Sequence, residues 1–224
     1  MTLAPEGVRT MFDRIAPVYD GMNRVMTAGL DVRWRRRAAA LAVRPGDRVL
    51  DAACGTGDLA VADLNAGAAS VTGLDFSEAM LARARGKSSA IEWVEGDLLA
   101  LPFADGTFDA ATVGFGVRNL GGDLDRGLHE LHRVLRPGGR LAILEITTPR
   151  GPLRPFFNVW FDRAVPALGK VLPGGDAYTY LPASVRRFPE AEVLAALLCE
   201  TGFRDVEFRL LAGSIVAIHT GVRA

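Results

Sequence analysis

Apolar residues in this 224-residue chain occur in short continuous runs that alternate with segments of helical spacing. Short apolar runs bounded by turn residues are typical of buried strands. Five such strands are predicted, over residues 48–51, 70–75, 91–94, 108–114 and 140–146. Apolar positions three and four residues apart predict helices. These helices cover residues 59–66, 77–85, 123–135 and 190–201. Ser77 is the expected N-cap of the second helix, residues 137–139 are expected to end the third, and Gly202 to end the fourth.

The alternation of strand and helix determines the expected fold class. Consecutive parallel strands need crossover connections, so helices cover both faces of the sheet. Near the C-terminus, strands over residues 206–211 and 214–220 are separated only by Ala212 and Gly213, which permits only antiparallel pairing. The sequence therefore predicts an α/β fold whose doubly wound, seven-stranded, mostly parallel sheet ends in an antiparallel hairpin.

Two segments lie outside this alternation. Residues 8–42 are predicted to be helical, and residues 147–189 form an insertion before the last helix. No low-complexity linker divides the chain, so residues 1–224 are predicted to form one domain. The insertion carries a wide apolar stripe of helical spacing, typical of core packing or of an apolar lid. Its members are Phe156, Phe157, Trp160, Phe161, Ala164, Val165 and Leu168.

Composition narrows the classes of function. The 26 basic residues are balanced by 26 acidic ones, which argues against a nucleic-acid partner because phosphate binding usually leaves a basic excess. Cys54 and Cys199 are too few for a disulfide framework, and they indicate a reducing compartment such as the cytoplasm. The first nine residues lack the apolar stretch of a secretory signal, and no run of about 18 apolar residues would span a bilayer.

The first strand ends in a glycine-rich turn that carries acidic residues. Residues 55–60, Gly-Thr-Gly-Asp-Leu-Ala, match the dinucleotide-binding pattern, and Asp75 follows at a spacing suited to a ribose contact. A nicotinamide-dependent reductase is therefore one interpretation. Asp51 and Asp58 oppose it, because two carboxylates would lie where a pyrophosphate needs bare amide groups.

S-adenosylmethionine suits these carboxylates better, because it carries a sulfonium and an ammonium group and has no phosphate. Asp51 is expected to face the cationic amino-acid end, and Asp75 to accept hydrogen bonds from both ribose hydroxyls. Gly55 and Gly57 would let the backbone approach the ligand closely.

A third acidic strand end supports the same ligand. Asp97 and Leu98 follow the predicted strand at residues 91–94. The Asp97 carboxylate could accept a hydrogen bond from the adenine amino group, while Leu98 covers the ring. Three acidic strand ends in succession are harder to arrange by accident than a single glycine turn.

Four motifs along the chain are more specific than a fold pattern. They are residues 12–23, residues 51–58, Gly-Phe-Gly-Val-Arg-Asn at 114–119, and Tyr-Thr-Tyr-Leu-Pro-Ala-Ser at 178–184 with Phe188-Pro189. Together they resemble class I S-adenosylmethionine-dependent methyltransferases, and among these the menaquinone/ubiquinone-biosynthesis C-methyltransferase family. The motif at 51–58 is generic to the class, whereas the last two are specific to the family.

The resemblance implies a class I methyltransferase fold, S-adenosylmethionine as cofactor and methyl transfer to a ring carbon of a prenylated quinol, most directly demethylmenaquinol. Benzoquinol methylation in ubiquinone biosynthesis and methylation of another small aromatic are the alternatives. The implied cofactor contacts are Thr56, Asp75, Asp97, Leu98 and Gly114. Two positions depart from the pattern: Gly114 stands where relatives often have Ser, and Ala53 occupies the first glycine position of the class motif.

A ring carbon becomes nucleophilic when a quinol hydroxyl loses its proton. A fixed guanidinium beside that oxygen would lower its pKa and stabilise the anion. Arg118 is the candidate, acting through water, while Asn119 and Tyr19 would orient the water or the second hydroxyl. The residues expected to line the ring pocket are Tyr178, Tyr180 and Ser184.

Further expectations concern metals and partners. His129 and His132 lie on one predicted helix without a third ligand, so no metal site is expected. A cluster of basic residues flanks Trp34, at Arg33, Arg35, Arg36 and Arg37. Such a cluster is typical of a solvated face or of peripheral contact with anionic lipid headgroups. A homodimer and a catalytically silent scaffold that binds S-adenosylmethionine are left open.

Overall fold

The computed structural model describes residues 5–149, 154, 157, 159 and 175–224. Seven strands form one sheet: β1 Arg48–Ala52, β2 Ser70–Asp75, β3 Glu92–Glu95, β4 Phe108–Gly114, β5 Leu135–Ile146, β6 Phe203–Leu211 and β7 Val216–Arg223. Their order is β3-β2-β1-β4-β5-β7-β6. Strands β1 to β5 pair in parallel, and β7 runs antiparallel to both β5 and β6. The predicted fold class is confirmed.

The helices lie before, between and after these strands. They are α1 Pro5–Ile15, α2 Tyr19–Met26, α3 Leu30–Ala42, α4 Asp58–Asn65, α5 Glu78–Arg85, α6 Leu124–Val134, α7 Gly175–Arg187 and α8 Ala191–Thr201. A 3-10 segment covers Val117–Asp123 and is interrupted at Gly121, where φ is 58°. The helical character predicted for residues 8–42 is confirmed, as three separate helices.

Helices cover both faces of the sheet, as buried parallel strands require. On one face, α6 and α8 contribute Leu128, Leu131, Leu194 and Leu198, all fully buried. On the other face, α3 packs on α4 and β5. Ala38 of α3 is fully buried there because its small side chain permits close approach. The core therefore fixes the carboxyl edge of the central strands from two sides.

Local signals in the sequence account for several helix ends. Ser77 precedes α5, and its hydroxyl accepts a hydrogen bond from the Met80 amide at 3.2 Å, as expected of an N-cap. Gly202 ends α8 in the left-handed region, with φ at 107°. Both features were predicted from the sequence.

Two boundaries differ from the prediction. Strand β5 begins at Leu135, immediately after α6, so residues 137–139 lie within an irregular part of the strand and do not end the helix. The C-terminal turn is also longer than two residues, because Leu211 pairs with Val216 and residues 212–215 form the connection. Ala212, Gly213 and Ser214 all have positive φ, which the hydrophobic pattern does not reveal.

The N-terminal helices cover the carboxyl edge of the sheet. Helix α1 packs against α5 and α7, and its apolar residues Val8, Met11, Phe12 and Ile15 form a buried cluster with Met80 and Tyr180. The edge where the strands end is therefore enclosed by residues far away in sequence.

Much of the predicted insertion lies outside the described residues. Of its apolar stripe only Phe157 is described, and it is buried. Within the described part of the chain, no helix is both long enough and apolar enough to cross a membrane.

Candidate active site

The carboxyl ends of the central strands open into a cleft with an empty volume of about 1100 Å³. It lies where the strand order reverses between β1 and β4, the usual ligand position in open parallel sheets. Seven of the eight predicted cofactor contacts line it: Asp51, Gly55, Thr56, Asp75, Asp97, Leu98 and Gly114. The exception is Gly57.

Asp51 is the most unusual group in the cleft. Its side chain is fully buried, and neither carboxylate oxygen has a hydrogen-bond partner within the described part of the chain. Burial, reinforced by the nearby Asp63 carboxyl, raises the pKa of Asp51 well above its usual value. A buried carboxylate without a partner is costly, and a cationic ligand would relieve that cost. The site therefore fits the ammonium group of an amino acid.

The Asp75 carboxylate is held by two backbone hydrogen bonds and can still accept hydrogen bonds from a ligand. Its Oδ2 accepts a hydrogen bond from the Gly55 amide at 2.7 Å, and its Oδ1 accepts one from the Ser77 amide at 2.9 Å. Burial raises the pKa of Asp75 to about 6, although these backbone bonds oppose the shift. Each carboxylate oxygen retains a second lone pair, so the group can accept from a diol such as a ribose.

The two glycines of the turn serve different purposes. Gly55 has φ at +55° and open space beside its α-carbon, so a ligand can approach the backbone there. Gly57 has φ at +84°, and a Cβ on it would lie 2.4 Å from the Trp93 ring. Gly57 is not among the described residues that line the cleft, and its α-carbon packs against the Trp93 indole, so its contact with the ligand stays a prediction.

Strained backbone flanks the same turn. Ala53 and Phe115 line the cleft with φ at 55° and 61°, a region that favours glycine. A Cβ on Gly116 would lie 2.7 Å from the Ala53 Cβ, so Gly116 makes room for the alanine. The glycine expected at position 53 from the class motif thus reflects a real backbone requirement, which Ala53 meets under strain.

A polar network joins the turn to the N-terminal helices. The Thr56 hydroxyl donates to Asp20, and the Lys87 ammonium contacts Thr56 at 3.0 Å. Lys87 also pairs with Asp20 and Asp58, both at 2.6 Å, and Arg24 pairs with Asp58 at 2.8 Å. Asp58 therefore lines the cleft with its charge already paired to two cations.

At the outer end of the cleft, Asp97 and Leu98 follow β3. The Asp97 carboxylate is exposed, and its Oδ1 accepts a hydrogen bond from the Leu99 amide at 2.9 Å. Leu98 is buried and lines the wall. This pairing of an acceptor with an apolar side chain suits a flat base with an exocyclic amino group.

A second cavity adjoins the cleft. It has an empty volume of about 690 Å³, and its lining includes the apolar residues Met11, Ile15, Met22, Met26, Ile146 and Leu181. It shares four lining residues with the cleft: Phe12, Tyr19, Arg35 and Phe115. A ligand in one cavity would therefore be in direct reach of a ligand in the other.

Arg118 lines the second cavity with its charge held in place. Its Nη1 donates to Glu145 at 2.8 Å and to the Phe115 carbonyl, and its buried Nε has no partner among the described residues. Burial alone would lower the pKa of Arg118, but Glu145, Tyr19 and Tyr180 outweigh it, so the pKa is raised. The guanidinium is thus permanently charged and held in one position by Glu145 and the Phe115 carbonyl.

The other two predicted catalytic residues lie nearby. Tyr19 lines both cavities. Asn119 lines the cleft, and its buried Oδ1 has no hydrogen-bond partner in the described structure. Asn119 therefore keeps a free acceptor on the side where the two cavities meet.

The three residues predicted from the 178–184 motif have different positions. Tyr180 lines the second cavity, and burial raises the pKa of its phenol, which therefore stays protonated. Ser184 is not among the described residues that line this cavity, and its buried hydroxyl donates to the Leu181 carbonyl of its own helix at 2.9 Å, so its substrate contact stays a prediction. The side chain of Tyr178 lies outside the described structure.

The arginine cluster is not a uniform surface. Arg33, Arg36 and Arg37 are exposed, whereas Arg35 is buried and lines both cavities. Helical spacing could have separated Arg35 from its neighbours, since it shares a face with the buried Ala38. The sequence pattern did not indicate Arg35 as a cleft residue, and it did not single out Lys87, one of only two lysines in the chain.

The histidines have structural surroundings. His132 packs edge-on against Phe203 with ring centroids 5.1 Å apart, and His129 lies near Asp125 on the same helix. Among the described residues, no three His, Cys, Asp or Glu side chains are grouped to hold a metal.

We expect Asp51→Asn to stabilise the ligand-free protein at pH 8, because the amide removes the cost of burying an ionised carboxylate without a partner. Folding raises the pKa of Asp51 above 3.8, the value of the group in the unfolded chain. Asp51 therefore disfavours the folded state increasingly as pH rises above 3.8, since the folded protein resists loss of this proton. The gain should therefore be smaller at pH 5. Urea denaturation at both pH values measures it.

A matched control is Asp47→Asn. Asp47 is also buried near β1, but it pairs with Arg140 and accepts a hydrogen bond from the Arg44 amide at 2.6 Å. Its loss should destabilise the protein by at least about 2 kcal/mol. Equal destabilisation by both variants would contradict the assignment of Asp51 as an unpaired charge.

Comparisons with solved structures agree with this fold. The chain resembles the [4+2]-cyclase SpnF with a TM-score of 0.74 at 20% identity, covering 99% of this chain and 97% of that one. It also resembles a Thermotoga maritima S-adenosylmethionine-dependent methyltransferase, described as a possible histamine N-methyltransferase, with a TM-score of 0.66 at 19% identity, covering 96% and 99%. At these identities the likeness establishes the fold alone.

Sequence relatives are much closer. A demethylmenaquinone methyltransferase of Thermus thermophilus is 47% identical, covering 95% of this chain and 100% of that protein. A ubiquinone/menaquinone biosynthesis C-methyltransferase UbiE of Geobacter sulfurreducens is 41% identical, covering 99% and 90%. The family model described as the ubiE/COQ5 methyltransferase family matches residues 1–223. The chain therefore belongs to the ubiE/COQ5 methyltransferase family.

Proposed function

We propose that this protein methylates a ring carbon of demethylmenaquinol, with S-adenosylmethionine as the methyl donor, in menaquinone biosynthesis. The observation that carries the proposal is the junction of two cavities, one with the unpaired carboxylate of Asp51 and one apolar with the charged Arg118. Relatives at 41% to 47% identity that bear the corresponding names support the substrate class.

The residues of the cleft match the parts of the donor. Bound S-adenosylmethionine supplies an electrophilic methyl group. Asp51 would pair with the ammonium, Asp75 would accept from the ribose hydroxyls, and Asp97 would accept from the adenine amino group. The same acidic lining disfavours a nicotinamide cofactor, because the carboxylates of Asp51 and Asp75 line the cleft where a pyrophosphate would need bare amide groups.

The second cavity suits an aromatic ring with an isoprenoid tail. Ten of its fifteen lining residues are aliphatic or aromatic, and three of these are methionines. Methionines adapt to irregular apolar ligands, and exclusion of water from the junction would protect the reacting groups. Tyr19 and Tyr180 offer hydroxyls on the cavity wall, where they can bind the two quinol oxygens.

Arg118 would activate the ring. Its fixed guanidinium favours the quinolate over the neutral quinol, which moves electron density onto the neighbouring carbon. Glu145 holds the guanidinium in place, and its own backbone position on β5 is fixed by the sheet. A water molecule, oriented by Asn119, would carry the hydroxyl proton away. The ring carbon would then bond to the methyl group as the methyl–sulfur bond breaks, and the electron pair would stay on sulfur, so that the donor leaves as the neutral thioether S-adenosylhomocysteine. Loss of the ring hydrogen as a proton would restore the aromatic ring.

Turnover with defined quinols tests the proposal. We expect the protein to methylate a short-tailed demethylmenaquinol and to leave the oxidised quinone unmodified, because the quinone has no hydroxyl proton to lose. Product mass measured under reducing and oxidising conditions checks this. If the corresponding benzoquinol is methylated faster, the substrate is a benzoquinol and not a naphthoquinol. If neither quinol is methylated, the proposal is wrong.

The role of Arg118 can be separated from cofactor binding. We expect Arg118→Lys to lower kcat by about 100-fold or more, as loss of a preorganised donor does elsewhere, with donor affinity changed less than about threefold. Lysine keeps a cation beside the buried Glu145, so the fold should survive. Steady-state kinetics and calorimetry measure the two effects.

The control for that substitution is Arg136→Lys, which alters an exposed arginine paired with Asp109 away from both cavities. It should leave turnover unchanged. Normal turnover in Arg118→Lys, or a loss of the same size in both variants, would refute the catalytic assignment.

We also propose that the protein is cytoplasmic and binds peripherally to the inner face of the membrane, where a prenylated substrate resides. Arg33, Arg36 and Arg37 are exposed on α3, and Val25 and Leu30 are 74% and 40% exposed at the preceding corner. Apolar side chains next to basic ones are typical of peripheral lipid contact. The homodimer stays a prediction.

Substitution of Arg33, Arg36 and Arg37 by glutamate, which reverses the charge at each position, tests this membrane contact. Since each basic residue contributes about 1 kcal/mol at an anionic surface, vesicle affinity should fall by about 100-fold. The same change at Arg204 and Arg209 of β6 is the control. Unchanged co-sedimentation with anionic vesicles would end the membrane proposal.

A further inference from the structure

We propose that Arg35 binds the α-carboxylate of S-adenosylmethionine and makes the site specific for a donor with an intact amino-acid end. The inference rests on the methyl donor named above and deepens it. It is carried by the position of Arg35 in the cleft together with the unpaired buried carboxylate of Asp51.

Charge balance requires such a residue. An α-amino acid carries its ammonium and its carboxylate on one carbon, so a site that pairs the ammonium must also receive the carboxylate a few ångströms away. Asp51 supplies only negative charge. A ligand carboxylate placed beside it without a cationic partner would be repelled in a partly desolvated cleft.

Arg35 is the only cationic side chain among the described residues that line the cleft. Its charge acts on Asp51, since it is one of the influences that lower the pKa of that carboxyl against the larger effect of burial. The guanidinium therefore lies within electrostatic reach of the group that would hold the ammonium.

The guanidinium also has donors to spare. Its Nη1 donates to Asp31 at 2.5 Å, and its central carbon lies 5.2 Å from the centre of the Phe115 ring. Its Nε and Nη2 make no hydrogen bond to the described part of the chain. Two adjacent N–H groups on a planar fork match the two oxygens of a carboxylate.

Other cations nearby are already committed. Lys87 pairs with Asp20 and Asp58 and does not line the cleft. Arg118 is held by Glu145 and lines the other cavity.

Two contacts fix Arg35 before a ligand arrives. Asp31 is buried and also accepts hydrogen bonds from Arg24 and Thr27, so it is a rigid anchor for the guanidinium. Phe115 provides a flat surface for it at the junction of the two cavities. A side chain held in this way loses little entropy when a carboxylate binds.

Calorimetry with two donors tests the inference without relying on activity. Decarboxylated S-adenosylmethionine keeps the adenosine, sulfonium and ammonium groups and lacks only the carboxylate. The wild-type protein should bind the intact donor about 10- to 100-fold more tightly, as expected for a charge-assisted pair. In Arg35→Met that preference should fall to near one, because only the intact donor loses a partner.

Two further variants serve as controls for this comparison. Arg83→Met removes an exposed arginine of α5 that lies outside the cleft, and it should keep the wild-type preference. Arg35→Lys keeps the charge and loses the fork, so an intermediate preference is expected, and it serves if the methionine variant does not fold.

The outcomes separate the inference from the function on which it rests. No preference in the wild-type protein, or an equal loss of both ligands in Arg35→Met, would overturn the carboxylate assignment while the methyl donor stands. Failure of the wild-type protein to bind either donor would remove the methyl-donor assignment itself, and this inference with it.

Discussion

A buried carboxylate without a protein partner, Asp51, is the constraint on which the site depends. The strands of a closely packed parallel sheet normally carry apolar residues, and the buried positions of β1 do so except for Asp51. Burial and the neighbouring buried carboxyl of Asp63 raise the pKa of Asp51, so its ionised form is costly in the ligand-free protein and a cationic ligand would offset that cost. The end of the first strand therefore favours binding of a positively charged group. The other residues of the cleft contact the remaining parts of the same ligand.

The N-terminal helices complete the site that the sheet begins. Helix α2 is tied to the glycine turn through Lys87, and helix α3 brings Arg35 to the wall between the two cavities. Tyr19 belongs to both cavities because α2 starts at their junction. The positions of the methyl donor and of the quinol therefore depend on α1 to α3, which precede the alternating strands and helices of the core fold.

The sequence predicted the fold well because period and turn signals are local. Ser77 and Gly202 fulfil their predicted roles at helix ends, and all five predicted parallel strands are present with small shifts. It predicted the acidic cleft because strand ends meet at one edge. It did not indicate that Gly57 packs against Trp93 or that the Ser184 hydroxyl donates to Leu181, because these neighbours are set by packing and by helix geometry. It also missed Arg35 and Lys87, since their partners Asp31, Asp20 and Asp58 could be recognised only once the N-terminal helices were in place.

A crystal structure of the protein with S-adenosylmethionine bound tests the central claim most directly. The account predicts the amino-acid end of the donor deep in the cleft, its ammonium within hydrogen-bond distance of the Asp51 carboxylate and its sulfonium directed toward the cavity that contains Arg118. A donor bound with its amino-acid end away from Asp51, or an Asp51 carboxylate still without a partner in the complex, would contradict it.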